Sequence, residues 1–564
     1  MRRFFVVLVL LAAIAVPFAP GYGQRQKQKP KAAVSVDAHG GAEQITADQL
    51  KSYLYFIAAD AMEGRDTPSR GLDITANFIA MNLAKWGFKP AGDDSTYFQK
   101  IALRRARLDP DQTHAEFNGR PLKYGDDFLA SATAGTASGR MVYVGDGWVI
   151  KSKEIDPYKQ IDVKDKIIVY NGGALPKGVS LSEIRSGKDG QDFFSPLMYA
   201  QTHGARGAIV IPNFQVLTNW NSSKRASVER GNLSVTKFAP PVEVHVPVIT
   251  ASAPLLGQLF QGEPHGSTDV FNRRTAADPA ESFALNESKT ISFTVGAKPD
   301  EEKTQNVVAV FEGSDPVLKN EYVAIGAHYD HVGTGQPGMG RGPAKPGGDP
   351  NDIIYNGADD DGSGTTAILA MAEAVSHNPV RPKRSLLFVW HCGEEKGLWG
   401  SDYFTRFPTI PLERIVTQLN IDMIGRSRPA GDTNPLNAEL SGPNEIFVIG
   451  SKMMSTELGT LSETVNSSYL NVNFNYKYDD PKDPNRFFFR SDHYNYAQKH
   501  IPIIFYFDGV HEDYHRSSDS PDKIDYQKME KVARTIYATM WELANRPARV
   551  TVDKQLPTGL SRSE

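Results

Sequence analysis

The sequence predicts an α/β fold: a mainly parallel mixed sheet flanked by helices, with a β-rich domain inserted near its start. Three observations carry this. From Asn306 onward, continuous apolar runs (NVVAVFEG, YVAIGAH, SLLFVWH, IVTQLNIDMIG, IPIIFYFDG) alternate with helical patterns (GTTAILAMAEAVSHN, KMEKVARTIYATMWELAN). Strands that are apolar on both faces need helices on both sides, which is the signature of a parallel sheet. Residues of about 115–285 differ: short alternations (RMVYVGDG, KIIVYNGG, GAIVIPN, VPVITAS) are punctuated by Gly, Pro and Asn, with one helical stretch, SPLMYAQTHGA. Finally, 564 residues exceed one ordinary core, so more than one domain is expected.

In chain order, residues 1–23 carry the secretory pattern. Arg2 and Arg3 form a positive start, Phe4 to Ala15 an apolar stretch, and Gly21 and Gly23 put small residues at -3 and -1 of a cut before Gln24. The apolar run is short of the roughly 20 residues a membrane span needs, so no stable membrane association is expected after cleavage. The protein is therefore expected to be secreted or periplasmic. Residues 24–45 are polar and read as a flexible leader. Thr46, with Gln49 three residues on, is a capping-box signal for a helix. A second helix follows through LDITANFIAMNLAKWGF, with Gly87 as its stop. The expected organisation is a catalytic domain in two parts, 46–114 and 286–546, around the 115–285 insertion, with a tail at 547–564. The formal charge of -4 offers no footprint for nucleic acid. Cys392 is the only cysteine, so no intramolecular disulfide forms and stability must come from the core.

Acidic and histidine residues gather where the apolar runs end. His328 and Asp330 follow one strand; Asp359, Asp360 and Asp361 follow a Gly/Pro-rich loop. Glu394 and Glu395 follow SLLFVWH, Asp422 sits in LNIDMIG, and His511, Tyr514 and His515 follow IPIIFYFDG. Open α/β sheets bind ligands outside the carboxyl ends of their strands. One aspartate there is usually a turn or a cap. Carboxylates and imidazoles at several strand ends, with no cysteine set, suit a borderline cation such as zinc, and are numerous enough for two. Spacing alone leaves His493, His500, His511 and His515 open as the last ligand. Cys392 is set aside as a nucleophile because it stands beside the Glu394–Glu395 pair.

GAHYDHVG, NGADDDGSG, HCGEEKGLWGSDYF, LNIDMIG and YHRSSDSPD resemble, in order, the motifs of the co-catalytic di-zinc exopeptidases, which include secreted bacterial aminopeptidases and glutamate carboxypeptidase. The resemblance covers about 46–112 and 300–546. VYVGDG, DVKDKIIVYNGG and AQTHGARGAIVIPN resemble a protease-associated domain. The resemblance implies a zinc aminopeptidase-like fold and two zinc ions per chain. Asp360 would bridge them, His328 and Asp422 would complete one set, and Glu395 and His515 the other. Glu394 would be the general base, Asp330 would orient His328, Tyr514 would polarise the scissile carbonyl, and Arg490 would contact substrate. It also implies a cis peptide after Asp360, with Asp361 turned to the following helix start.

The function expected is a secreted zinc-dependent exopeptidase, first an aminopeptidase, acting on peptide substrates through a bridging hydroxide. A carboxypeptidase on acidic peptides, a glutaminyl cyclase and a non-catalytic receptor-like protein are the alternatives.

Overall fold

The computed structural model describes residues 39–180, 183–184, 187–238, 243–276, 278–335 and 351–556. The expected signal peptide, most of the leader and the end of the tail lie outside them. Four parallel strands form the centre of the main sheet, in the order Ser385–His391, Tyr322–His328, Ile415–Ile421, Ile503–Phe507. Antiparallel strands flank them: Thr290–Phe311 beside the first and Glu445–Ile449 beside the last. The sheet is thus mixed and mainly parallel, as the sequence predicts.

The apolar runs divide by pleat. In Ser385–His391, Leu386, Phe388 and Trp390 face a core shared with the helices Ala47–Ile57, Arg70–Lys85, Gly362–His377 and Tyr526–Asn545. Leu387 and Val389 face a second core with Leu398, Phe404, Met453 and Phe505. Alternate side chains point to opposite faces of a strand, so a strand buried on both sides must be apolar throughout. The first helix begins as expected: Thr46 caps it, and Gln49 closes the capping box. The second ends in Trp86, and Gly87 takes φ 75°, the left-handed turn that glycine adopts without a Cβ penalty.

A long antiparallel ribbon, Phe98–Phe117 with Thr290–Phe311, runs from the main sheet into a second one. That second sheet has Gly135–Tyr143, Ile167–Asn171, Gly207–Ile211 and Val248–Ala251 in parallel and antiparallel pairings. It has a core on each face. This region holds more helix than the single stretch expected. Pro196–Thr202 is joined by Ala253–Leu259 and Ser267–Thr275. The first of these additions starts with a Ser252 side chain capping Leu255, a local signal obscured by the strand pattern before it. Among the described residues, no helix is long and apolar enough to cross a membrane.

Trp390 is fully buried, and its indole N–H donates to the Thr365 carbonyl at 3.1 Å, tying the sheet to the helix behind the site. Trp390→Ala is expected to cost about 3–5 kcal/mol. Met81→Ala, at an exposed helix position, should stay within about 0.5 kcal/mol. Chemical denaturation followed by circular dichroism measures both.

Candidate metal centre

His328 ends its strand and pairs in register with His391, so the carboxyl ends of the two strands lie level. Asp422 stands one residue beyond the next strand, and Glu394 and Glu395 lie just past His391. The loop after Ile503–Phe507 carries Tyr514 and His515. Asp360 stands at the centre of the arrangement. His328 Nε2 lies 3.2 Å from its Oδ1, and His515 Nε2 lies 3.0 Å from its Oδ2. Asp422 Oδ1 is 3.6 Å from His328 Nε2, and Glu395 Oε1 is 3.0 Å from His515 Nε2. One carboxylate thus faces two clusters, one through each oxygen. Of the other histidines, His493 stacks on Phe505 at 4.4 Å, His500 is exposed, and His511 pairs with Asp359 at 3.3 Å.

The three consecutive aspartates part ways. The Asp360–Asp361 peptide is cis. The Asp361 side chain caps the Gly362–His377 helix through Gly364 N–H at 2.9 Å. It also accepts from His328 N–H and Met423 N–H, tying the helix start to two strand ends. Asp359 accepts from Gly425 N–H at 2.7 Å and faces His511, fully buried. Asp519 grips the turn from below: its carboxylate accepts the backbone N–H groups of Asp359 and Asp360 at 3.0 and 3.2 Å.

Asp330 contacts His328 chiefly through its backbone carbonyl, 3.1 Å from Nδ1, with its carboxylate 3.6 Å away. That carboxylate accepts from Thr67 Oγ1 and from Glu394 N–H, so it anchors the glutamate loop as well as the imidazole. Asp422 is fixed by Ser491 Oγ at 2.6 Å. Arg490 is exposed, its guanidinium 5.0 Å over the Phe487 ring, and its charge reaches the Tyr514 phenol.

Burial opposes ionisation of Asp360, yet the imidazoles of His331, His328 and His515 hold its carboxyl well below the ordinary range. Burial pushes Glu394 well above it; His328 works against this, while Asp422, Glu395 and Asp492 add to it. Burial, and then the carboxyl groups of Asp360, Glu395 and Glu394, raise the Tyr514 phenol, which keeps its proton. Burial pushes the Cys392 thiol up and leaves no thiolate for attack.

Asp360 Oδ2 and Glu395 Oε1 are buried and accept no hydrogen bond. Two such anionic oxygens side by side require a positive charge between them. With imidazole and carboxylate donors, zinc fits. His328, Asp360 and Asp422 form one group of converging donor atoms, and Asp360 and Glu395 belong to a second. That second group contains His331, which the sequence reading passed over although it stands three residues after His328 in HYDH. Asp519, Ser491 and Arg65 were also missed. Arg65 is fully buried and donates to the carbonyls of Ile57, Tyr329, Asn356 and Gly357.

Residues 306–540 match the model of Peptidase family M28. A probable zinc metalloprotease of Pyrenophora tritici-repentis is 26% identical over 272 residues, covering 43% of this chain and 58% of that protein. A probable leucine aminopeptidase 2 of Aspergillus oryzae is 33% identical over 162 residues, covering 28% of this chain and 27% of that protein. The chain thus spans less than two thirds of these relatives. The solved aminopeptidase of Aneurinibacillus sp. strain AM-1 shares the fold: TM-score 0.51, 17% identity, over 92% of this chain and 98% of that one.

Asp519→Ala would leave the N–H groups of the Asp359–Asp360 turn without their acceptor. A loss of about 1–3 kcal/mol in stability is expected. Zinc affinity should fall roughly 10–100-fold, the usual effect of removing an outer partner of a ligand. Competition with a chromophoric chelator reads the second effect.

Proposed function

We propose that the chain, whose residues 306–540 match the model of Peptidase family M28, is a secreted zinc-dependent exopeptidase that removes N-terminal residues from peptides. The observation that carries this reading is Asp360. Its two oxygens face two separate clusters of imidazole and carboxylate, one at His328 and Asp422, the other at Glu395 and His515. Those clusters are the proposed seats of two zinc ions. Zinc bound there would lower the pKa of a water and polarise the scissile carbonyl.

The chain's own groups do the rest. Glu394 lies 4.0 Å from His328 Nε2 and is only slightly exposed, so it can meet a water at the mouth of the cluster. Its raised proton affinity suits a group that takes a proton from the attacking water and returns it to the leaving amine. Asp330, through Glu394 N–H, keeps that carboxylate in place. Tyr514 stacks on the His515 ring at 3.9 Å and retains its phenolic proton, so it can donate to the oxygen that gains charge in the transition state. Arg490 is proposed as the substrate contact beside it. The 115–285 region is proposed as a protease-associated domain, and residues 1–23 as a signal for export.

Glu394→Gln is expected to keep its metal and lose turnover by roughly 10²–10⁴-fold, as for the removal of a proton shuttle. Elemental analysis alongside kinetics separates the two effects. Wild-type turnover in that variant refutes the base assignment. Dialysis against a chelator should abolish hydrolysis, and zinc should restore it at about two equivalents per chain. A panel of amino-acid anilides set against N-blocked peptides distinguishes aminopeptidase from carboxypeptidase action.

A further inference from the structure

We infer that His331 is a fourth protein ligand of the cation held by Asp360, Glu395 and His515, so that this seat is closed by side chains while the one at His328 stays open. The inference rests on the two-cation reading above and goes beyond it in ligand set and in the roles of the two seats.

His331 is fully buried, and neither ring nitrogen has a hydrogen-bond partner. A buried imidazole with both nitrogens unmatched is costly unless something else satisfies it. Its Nδ1 points at the two oxygens that also lack donors: 3.0 Å from Glu395 Oε1 and 3.7 Å from Asp360 Oδ2. These three donor atoms converge closely enough for one cation. The His331 and His515 rings approach at 71° with centroids 5.6 Å apart, so the two imidazoles reach the same carboxylates from different sides.

The chain holds the ring in this position. His331 N–H donates to the Arg65 carbonyl at 3.1 Å, fixing the backbone just after Asp330. Gly357 lies against the ring: a Cβ there would stand 2.4 Å from His331 Cγ, so only glycine leaves room. Asp360, Glu395, His515 and His331 make the four-ligand set of a structural zinc site, whereas His328, Asp360 and Asp422 make the three-ligand set that leaves a position for substrate or water. The chemistry would then be concentrated at the His328 side, and the other cation would mainly hold Asp360 and Glu395 in place.

Zinc titration of the metal-free chain by calorimetry tests this. Two sites are expected in the wild type. In His331→Ala one site should weaken by more than the roughly 10–100-fold typical of an outer partner, with the other unchanged. Two sites at wild-type affinity, or a smaller loss, would overturn the inference and leave the two-cation reading standing. A wild type that binds a single ion overturns both. His331→Cys guards against a poorly folded alanine variant. Loaded with cobalt, it should show a thiolate-to-metal charge-transfer band that the wild type lacks. Cobalt bound at both sites without that band counts against His331 as a ligand.

Discussion

Everything at the carboxyl ends of the central strands depends on satisfying many carboxyl groups out of water. Asp330, Asp359, Asp360, Asp361, Asp422, Asp513 and Asp519 are all buried. An isolated buried carboxylate is too costly to stay charged, so each must find donors, a counter-ion or a proton. The structure meets this demand in layers. Backbone N–H groups take Asp359, Asp361 and Asp519 as acceptors or anchors. Arg426 pairs with Asp513 at 2.9 Å, and its own N–H reaches Asp508. Lys528 is buried beneath, donating to Arg426 O and Ser441 Oγ. Oxygens of Asp359, Asp492 and Asp508 also accept no hydrogen bond, but those of Asp360 and Glu395 are the two that His331 and His515 both face, the place for a cation.

Arg65 belongs to the same economy of charge, though it forms no direct ion pair there. Its guanidinium satisfies the Asn356 and Gly357 carbonyls just before the Asp359–Asp361 turn and that of Tyr329 beside His328. It therefore fixes the spacing of loops that carry opposing ligands, while its charge acts on Asp330, Asp519 and Asp360 through the low-dielectric interior. Burial lowers its own proton affinity to about 10, which still leaves it charged near neutral pH. The geometry of the candidate centre thus rests on a segment that precedes the second sheet and a cluster that follows it.

Much of this was legible beforehand. The strands after Asn306 announce themselves because a strand buried on both faces is apolar throughout, a property of consecutive residues. The capping box at Thr46 and the stop at Gly87 are equally local. The donor types were legible too, since they fall just past those apolar runs. The Glu445–Ile449 strand was not singled out: it is short, pairs antiparallel with Ile503–Phe507, and has only the three-residue strand Asn473–Asn475 beyond it. The aromatic run Phe487–Phe489 is packing, with Phe487 and Phe488 in the core.

By itself the sequence determined the mainly parallel sheet, the helices that cover it, and the supply of imidazole and carboxylate at the strand ends, because periodicity, caps and strand termini are written within a few residues. Only the tertiary structure decided which donor faces which. Asp359 and Asp360 are neighbours of the same type, yet one faces His511 and the other His328 and His515. His331 and His511 look alike in sequence, yet only His331 meets the carboxylate oxygens of Asp360 and Glu395. These choices depend on contacts between residues far apart in the chain, such as Arg65 with Asn356, and so exist only once the sheet has brought its loops together.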